Sequence, residues 1–415
     1  MLNPDTPVAD RKAGLWKRYE AMRGQKLSLD LTRGKPCTAQ LRLSQPMQRI
    51  TAVYSRDGVD CRNYGLLEGL PEARELCGRY LGTNPKYTYV ADGSSLTLMH
   101  DFILQGLTRA LPGWKVPGMK PKILCPTPGY DRHHTICGLY GIEMVPIPMT
   151  ANGPDLAAVA EALKDPSVVA MFCVPKYHNP TGATFSPAVV KALATMPAAC
   201  RGFRLIWDNA YAVHDLVEKG DRLLDIMKVV RGTPMEDRPV IFGSFSKVTF
   251  AGAGMAFMGM SEWNFKWWRK SLFAQTIGAN KLNQLRHVKF LKNMPGIHRH
   301  MRKHRKILAP KFDAVTKVLG REIGGKGIAS WMSPTGGYFF SFYLQKGSAK
   351  RTIELAKGLG LLLTPAGAAF PYGDPKDNHI RIAPTAVDRL ADLETATEAL
   401  ALCAQIAHWE TWPKH

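Results

Sequence analysis

Between residues 63 and 260, short apolar runs alternate with longer stretches of helix-forming composition. This alternation restricts the fold more than any other feature, because apolar runs separated by helical crossovers are the pattern of a largely parallel sheet. The spacing predicts strands at 122–125, 143–148, 168–174, 204–207, 240–242 and 255–259. Ligands in such sheets sit beyond the carboxyl ends of the strands, so the polar residues that follow each run are the first places to look for chemistry.

The 415 residues, 45% hydrophobic and 21% charged, can bury a large core and are enough for two or three structural units. Disordered and collagen-like readings are excluded. The longest apolar run, 250–260, is broken by glycines and too short to span a bilayer, so a soluble protein with no membrane partner is expected. The first ten residues carry no secretory pattern, which makes the cytoplasm the expected location. Eight scattered cysteines with no C-x-x-C pair are expected as buried free thiols.

The net charge of +21 invites a nucleic-acid reading. Only one dense basic cluster exists, His298 to Lys306, and it reads as a solvated helix face. Zinc-finger, RNA-binding and basic-heptad signatures are missing, so no specific nucleic-acid partner is expected. The same field attracts anionic small molecules. His100, His133 and His134 read as packing or hydrogen-bonding residues, and no metal site is expected.

Residues 1–50 read as an arm with a helix near 11–23, 51–300 as a large domain, and 301–415 as a smaller α+β domain that the arm joins. A long helix-compatible stretch follows Ser261. Strand-like runs then come at 337–343, 361–364 and 379–383, before a last helix at 387–409.

Four strand ends carry chemistry: Pro128-Gly-Tyr130, Asn179-Pro-Thr-Gly182, Asp208-Asn-Ala-Tyr211 and Ser244-Phe-Ser-Lys247. Asp208 follows Asn179 by 29 residues, Tyr211 follows Asp208 by 3, and Lys247 follows Asp208 by 39. In this order and spacing the motifs resemble the pyridoxal 5′-phosphate enzymes of fold type I, the aspartate aminotransferase fold, over nearly the whole chain. That resemblance implies a large domain with a mostly parallel seven-stranded sheet between helices, and a smaller α+β domain.

The resemblance also implies roles. Lys247 would hold the cofactor as a Schiff base and then move protons, and Asp208 would keep the ring nitrogen protonated. Asn179 and Tyr211 would bond the ring oxygen, and Tyr130 would stack on the ring. Gly93, Ser94 and Ser95, opening a helix, with Ser244 and Ser246, would hold the phosphate. Tyr64, in Asn63-Tyr-Gly-Leu-Leu-Glu-Gly-Leu-Pro-Glu72, resembles a tyrosine that reaches the neighbouring subunit's phosphate, which implies a homodimer with shared active sites. Arg381, in His379-Ile-Arg-Ile-Ala, resembles the arginine that grips the substrate α-carboxylate; Asn179 would share in substrate binding, and Gly34 resembles a capping glycine.

The sequence departs from the pattern in two places. Relatives carry a phosphate-binding arginine seven or eight residues after the lysine, where this chain has Gly254 and Met255. Lys281 is the candidate substitute. A cross-subunit arginine for a distal carboxylate falls near Gly278, so Arg33, Arg132 or Arg286 would have to supply that charge. Leu31-Thr-Arg-Gly-Lys-Pro36 and Gly129-Tyr-Asp-Arg132 resemble the bacterial MocR-like aspartate aminotransferases. The expected activity is transfer of an amino group from aspartate or glutamate to a 2-oxo acid, by a ping-pong route through a lysine aldimine and pyridoxamine phosphate. A carbon–sulfur lyase or racemase on the same fold is the first alternative. A MocR-like regulator is the second, and the roughly 60 residues before Asn63 leave it no room for a DNA-binding domain.

Overall fold

A computed structural model describes residues 8–411. Its strands, in chain order, are β1 (Leu29–Asp30), β2 (Thr88–Asp92), β3 (Lys122–Thr127), β4 (Glu143–Thr150), β5 (Gly153–Pro154), β6 (Val168–Cys173) and β7 (Arg204–Asp208). The rest are β8 (Pro239–Ser244), β9 (Met255–Gly259), β10 (Ala329–Trp331), β11 (Phe340–Leu344), β12 (Leu361–Leu362) and β13 (His379–Ile382). The central sheet has the order β2-β9-β8-β7-β6-β3-β4-β5. Strands β8, β7, β6, β3 and β4 are mutually parallel, while β9 runs antiparallel to both β8 and β2. Seven substantial strands thus form the sheet, and the two-residue β5 adds an eighth by folding back on the end of β4.

All six expected strands are present, and β2 joins them. Its Thr-Tyr-Val start has strand composition, but it follows so soon after the short helix Pro85–Tyr87 that no separate apolar run marks it. Strands β6, β7 and β8 are buried along their whole length, which explains their continuous rather than alternating apolar sequence.

A second sheet, β10-β11-β13, is antiparallel and places Arg381 opposite Ser341. The N-terminal arm adds β1 in parallel to β12, and Ala383 N donates to Leu31 O at 3.1 Å. Tyr19, on the helix Val8–Arg23, donates its hydroxyl to Leu355 O at 2.9 Å. Two apolar cores result. One draws on residues from Cys61 to Met301; the other joins the arm to the C-terminal elements and also takes in Val174, Tyr177 and Tyr211.

The 30-residue helix Met294–Ile323 feeds both cores, Ile297 and Met301 the first, Leu308, Phe312 and Val315 the second. Its basic segment is only partly the solvated face expected, since His300 and His304 are buried. All eight cysteines are buried and unpaired. No described helix is long and apolar enough to cross a membrane.

Burial also sets an acid limit on stability. It holds His134, His287 and His379 down to about 4, and His178, His214 and His304 down to about 3. The unfolded chain takes up protons near the ordinary value of about 6.5, where these native imidazoles do not, so stability is full above that pH and is lost as pH falls from there toward about 3. Urea unfolding at about pH 7.5, 6 and 5 should show a midpoint that falls at each step; a constant midpoint would mean these rings are solvated.

Candidate active site

The carboxyl ends of β3, β6, β7 and β8 meet the second core at a cavity of about 520 Å³. Tyr130, Asn179, Tyr211, Lys247 and Arg381 line it, together with Arg33 and Gly34 of the arm. Asp208 closes β7 and is only 3% exposed. Its partners are weak: the Ser95 hydroxyl donates from 3.4 Å, and His133 Nε2 lies 3.5 Å away. His133 stacks flat on Phe172 with ring centroids 4.1 Å apart and meets Tyr130 edge-on. A buried carboxylate with no close cation is costly unless something positive completes it.

Lys247 lies just beyond β8, with Nζ 5.1 Å from the centre of the Tyr211 ring. Burial lowers its amine below the usual lysine range, with Asp208 opposing. Burial raises the Tyr211 phenol, and with Asp208 and Asp131 nearby it pushes Tyr130 up to about 12. Both phenols are therefore protonated donors at neutral pH. Asn179 is buried, and its Oδ1 has no partner.

Near Lys247, Gly93 takes φ +78° and Ser94 stands at the N-cap of the helix Ser95–Thr108 without a side-chain cap bond, so the first turn leaves N–H groups without intrahelical acceptors. Ser244 ends β8, and Ser246 donates to Gly93 O at 3.4 Å. Of the two positions at which the arginine is missing, the first excludes any side chain, while the second, Met255, starts β9 with its side chain buried. A Cβ on Gly254 would stand 2.4 Å from Gly93 O and 2.5 Å from Ser246 Oγ, and Gly93 N donates to Gly254 O at 3.2 Å.

Lys281 begins the helix Lys281–Leu291 and is 4% exposed; its Nζ donates to Gly65 O at 2.9 Å. The residue before it, Asn280, donates its backbone N–H to Asp92, next to Gly93. Tyr64, beside Gly65, is 79% exposed. At Gly278, φ is +148° and a Cβ would fall 2.6 Å from Gly65 O, so no side chain fits at the position where relatives place an arginine.

Arg381 donates from Nη1 to Asp131 at 2.8 Å, stacks on Phe339 at 4.8 Å, and keeps a buried Nε with no partner. Arg33 and Arg132 line the cavity, whereas Arg286 is exposed and is not among its lining residues. Sequence reasoning did not pick out Asp131, His133 or Phe339 for the site. His133 had one usable signal, its place one helical turn after Tyr130. Gly34 lies so close to Phe339 that a Cβ would come within 2.5 Å of the ring.

The sequence pattern of the aspartate amino-transferase family matches residues 3–414. A protein of Mycolicibacterium smegmatis is 42% identical over 406 residues, 95% of this chain and 94% of that one. An aspartate aminotransferase of Corynebacterium glutamicum is 38% identical over 399 residues, covering 94% and 92% of the two chains. Among solved structures, an aspartate transaminase from Corynebacterium glutamicum superposes with a TM-score of 0.93 at 36% identity, covering 97% of this chain and 96% of that one. The α-aminoadipate aminotransferase of Thermus thermophilus, solved with N-(5′-phosphopyridoxyl)-L-leucine, shares the fold at a TM-score of 0.73 and 20% identity, over 96% and 97% of the chains. The chain thus belongs to the aspartate amino-transferase family: it is an aminotransferase of fold type I, with pyridoxal phosphate as its cofactor.

Proposed function

We propose that the protein transfers the amino group of aspartate or glutamate to a 2-oxo acid, in two half-reactions, at the cavity around Lys247. One observation carries the reading: a buried carboxylate without a lysine or arginine partner, a half-buried amine and an arginine with an unpartnered Nε converge on one cavity. When bound, pyridoxal phosphate supplies an electron sink for the bonds at the substrate Cα.

The residues present fit that group. Asp208 has no lysine or arginine donor, and a protonated ring nitrogen would supply one; the Asn179 amide has no protein partner at Oδ1, and its Nδ2 is the end that would donate to a ring oxygen. We assign Asn179 and Tyr211 to the ring oxygen, Tyr130 to the ring face, Lys247 to the covalent link, and Gly93, Ser94, Ser95, Ser244 and Ser246 to the phosphate. With the cofactor bound, Lys247 Nζ would take the proton from the substrate Cα and return it on the cofactor side of the substrate nitrogen. Burial lowers its pKa and so favours the uncharged amine that this needs. Tyr211, protonated at neutral pH, donates to the ring oxygen and so steadies the charge there.

Arg381, which lines the cavity and keeps an unpartnered Nε, receives the α-carboxylate on its guanidinium. Arg33, Lys35 and Arg132 face the cavity against the single carboxylate of Asp131, a balance that selects a second substrate carboxylate. We further propose a cytoplasmic homodimer of the MocR-like branch, in which exposed Tyr64 reaches the neighbouring phosphate. The eight buried free thiols support a reducing compartment. Steady-state rates with aspartate or glutamate and varied 2-oxo acid should give parallel double-reciprocal lines; intersecting lines, or release of ammonia, would favour a different reaction.

Two variants test the assignments. Lys281→Ala frees the Gly65 carbonyl beside Tyr64 and should weaken cofactor retention by about three- to tenfold, the worth of one hydrogen bond. Cofactor remaining after dialysis measures this, and unchanged retention removes Lys281 as the arginine's substitute. Gly34→Ala forces a Cβ against Phe339 and should cost about 1–3 kcal/mol while raising KM. A melting curve and KM values unchanged from wild type would show that the arm moves aside freely.

A further inference from the structure

A buried polar chain, none of whose members lines the cavity, reaches the backbone of Lys247. It starts in the arm, where Cys37 N donates to Gln40 Oε1 at 3.1 Å and so fixes which way the Gln40 amide faces. Gln40 Nε2 must therefore be the donor, both to the Tyr338 hydroxyl at 2.8 Å and to His304 Nδ1 at 3.0 Å.

The consequences follow by counting protons. Because Tyr338 accepts from Gln40, its own proton is free to go to Lys247 O, 3.4 Å away. His304, kept neutral by burial and accepting at Nδ1, must carry its proton on Nε2, on the side of the Val248 carbonyl. His300 Nε2 lies 2.8 Å from that same carbonyl, which can only accept, so His300 is protonated at Nε2 as well. The two Nε2 atoms end up 3.1 Å apart over one oxygen. His214 adds a further donor to Lys247 O at 3.4 Å.

We propose that Gln40, Tyr338, His300 and His304 are positioning residues for Lys247. They hold the consecutive carbonyls of Lys247 and Val248, and through that backbone they determine where Nζ stands. Gln40 directs the whole chain, since its amide sets the tautomer of His304 and releases the Tyr338 proton. The amine that carries the chemistry is thereby tied to the N-terminal arm and the C-terminal elements, although it sits on a turn at the end of a central strand. The inference rests on the assignment of Lys247 as the covalent and proton-moving residue.

The test uses full-length Tyr338→Phe, which removes one oxygen and leaves the ring in place, and Gln40→Leu. Two properties are read: steady-state kcat and KM, and the rate at which apoprotein regains visible absorbance on addition of pyridoxal phosphate. Each variant should lose about tenfold in kcat, with both KM values within about twofold of wild type, and should reconstitute more slowly. If kcat and reconstitution stay within about twofold of wild type, or if KM alone rises, the positioning role is overturned. Should Gln40→Leu fail to fold, Tyr338→Phe decides alone. Wild-type turnover is the control: without it the aminotransfer reading fails, while the reconstitution arm still reports on Lys247.

Discussion

Replacing Lys247 with alanine is expected to abolish the visible absorbance of lysine-bound cofactor and to cut turnover by more than about a thousandfold. On the proposed roles two losses combine in this one change, the covalent link and the group that carries the proton at Cα. No neighbour can take over. Lys176 is held by Asp215 at 2.9 Å and by Ala212 O at 3.0 Å, and Lys35, the other lysine lining the cavity, is exposed on the arm. The variant should still bind cofactor, since the helix start at Ser94 and the carboxylate of Asp208 are untouched. A lysine-linked chromophore that persists in Lys247→Ala would move the assignment to Lys35.

The second large effect is expected at Asp208. Alanine there should leave part of the cofactor bound but reduce turnover by about 10²–10³-fold, the usual worth of one preorganised charge at a reacting centre. His133, 3.5 Å from the Asp208 carboxylate and clamped against Phe172, cannot substitute, because an imidazole supplies no negative charge. Asp208→Asn should behave like the alanine variant despite its matching shape, which separates charge from packing. Near-normal rates in either variant would remove the ring-nitrogen role. Comparing the two is a cleaner reading than either alone, since a loss seen only with alanine would point to the cavity it leaves.

That the strand ends carrying these residues gather at one edge is legible in the sequence. Asn179, Asp208 and Lys247 stand at or a few residues beyond the ends of apolar runs, and a parallel sheet brings such strand ends to one edge whatever the intervening sequence. The features that escaped depend on contacts between residues far apart in the chain. The pairing of Arg381 with Asp131 spans 250 residues and has no local signature. Nor do the clashes that keep Gly254 and Gly278 as glycine, which come from the backbones of Gly93 and Gly65. The basic cluster was half legible: a run of Arg, Lys and His reads as solvated, yet a helix turns every fourth residue inward, and here those residues are His300 and His304. Their burial became intelligible only once the Val248 carbonyl and Gln40 were seen beside them.

The central claim is transfer of an amino group from an acidic amino acid by way of Lys247. The most direct measurement mixes cofactor-loaded protein with one amino acid at a time, with no oxo acid present, and follows the absorbance of the bound cofactor. Aspartate and glutamate should convert it stoichiometrically to its amine form and release the matching 2-oxo acid, while alanine and lysine convert it far more slowly. No conversion by any amino acid, with cofactor still bound, would contradict the account.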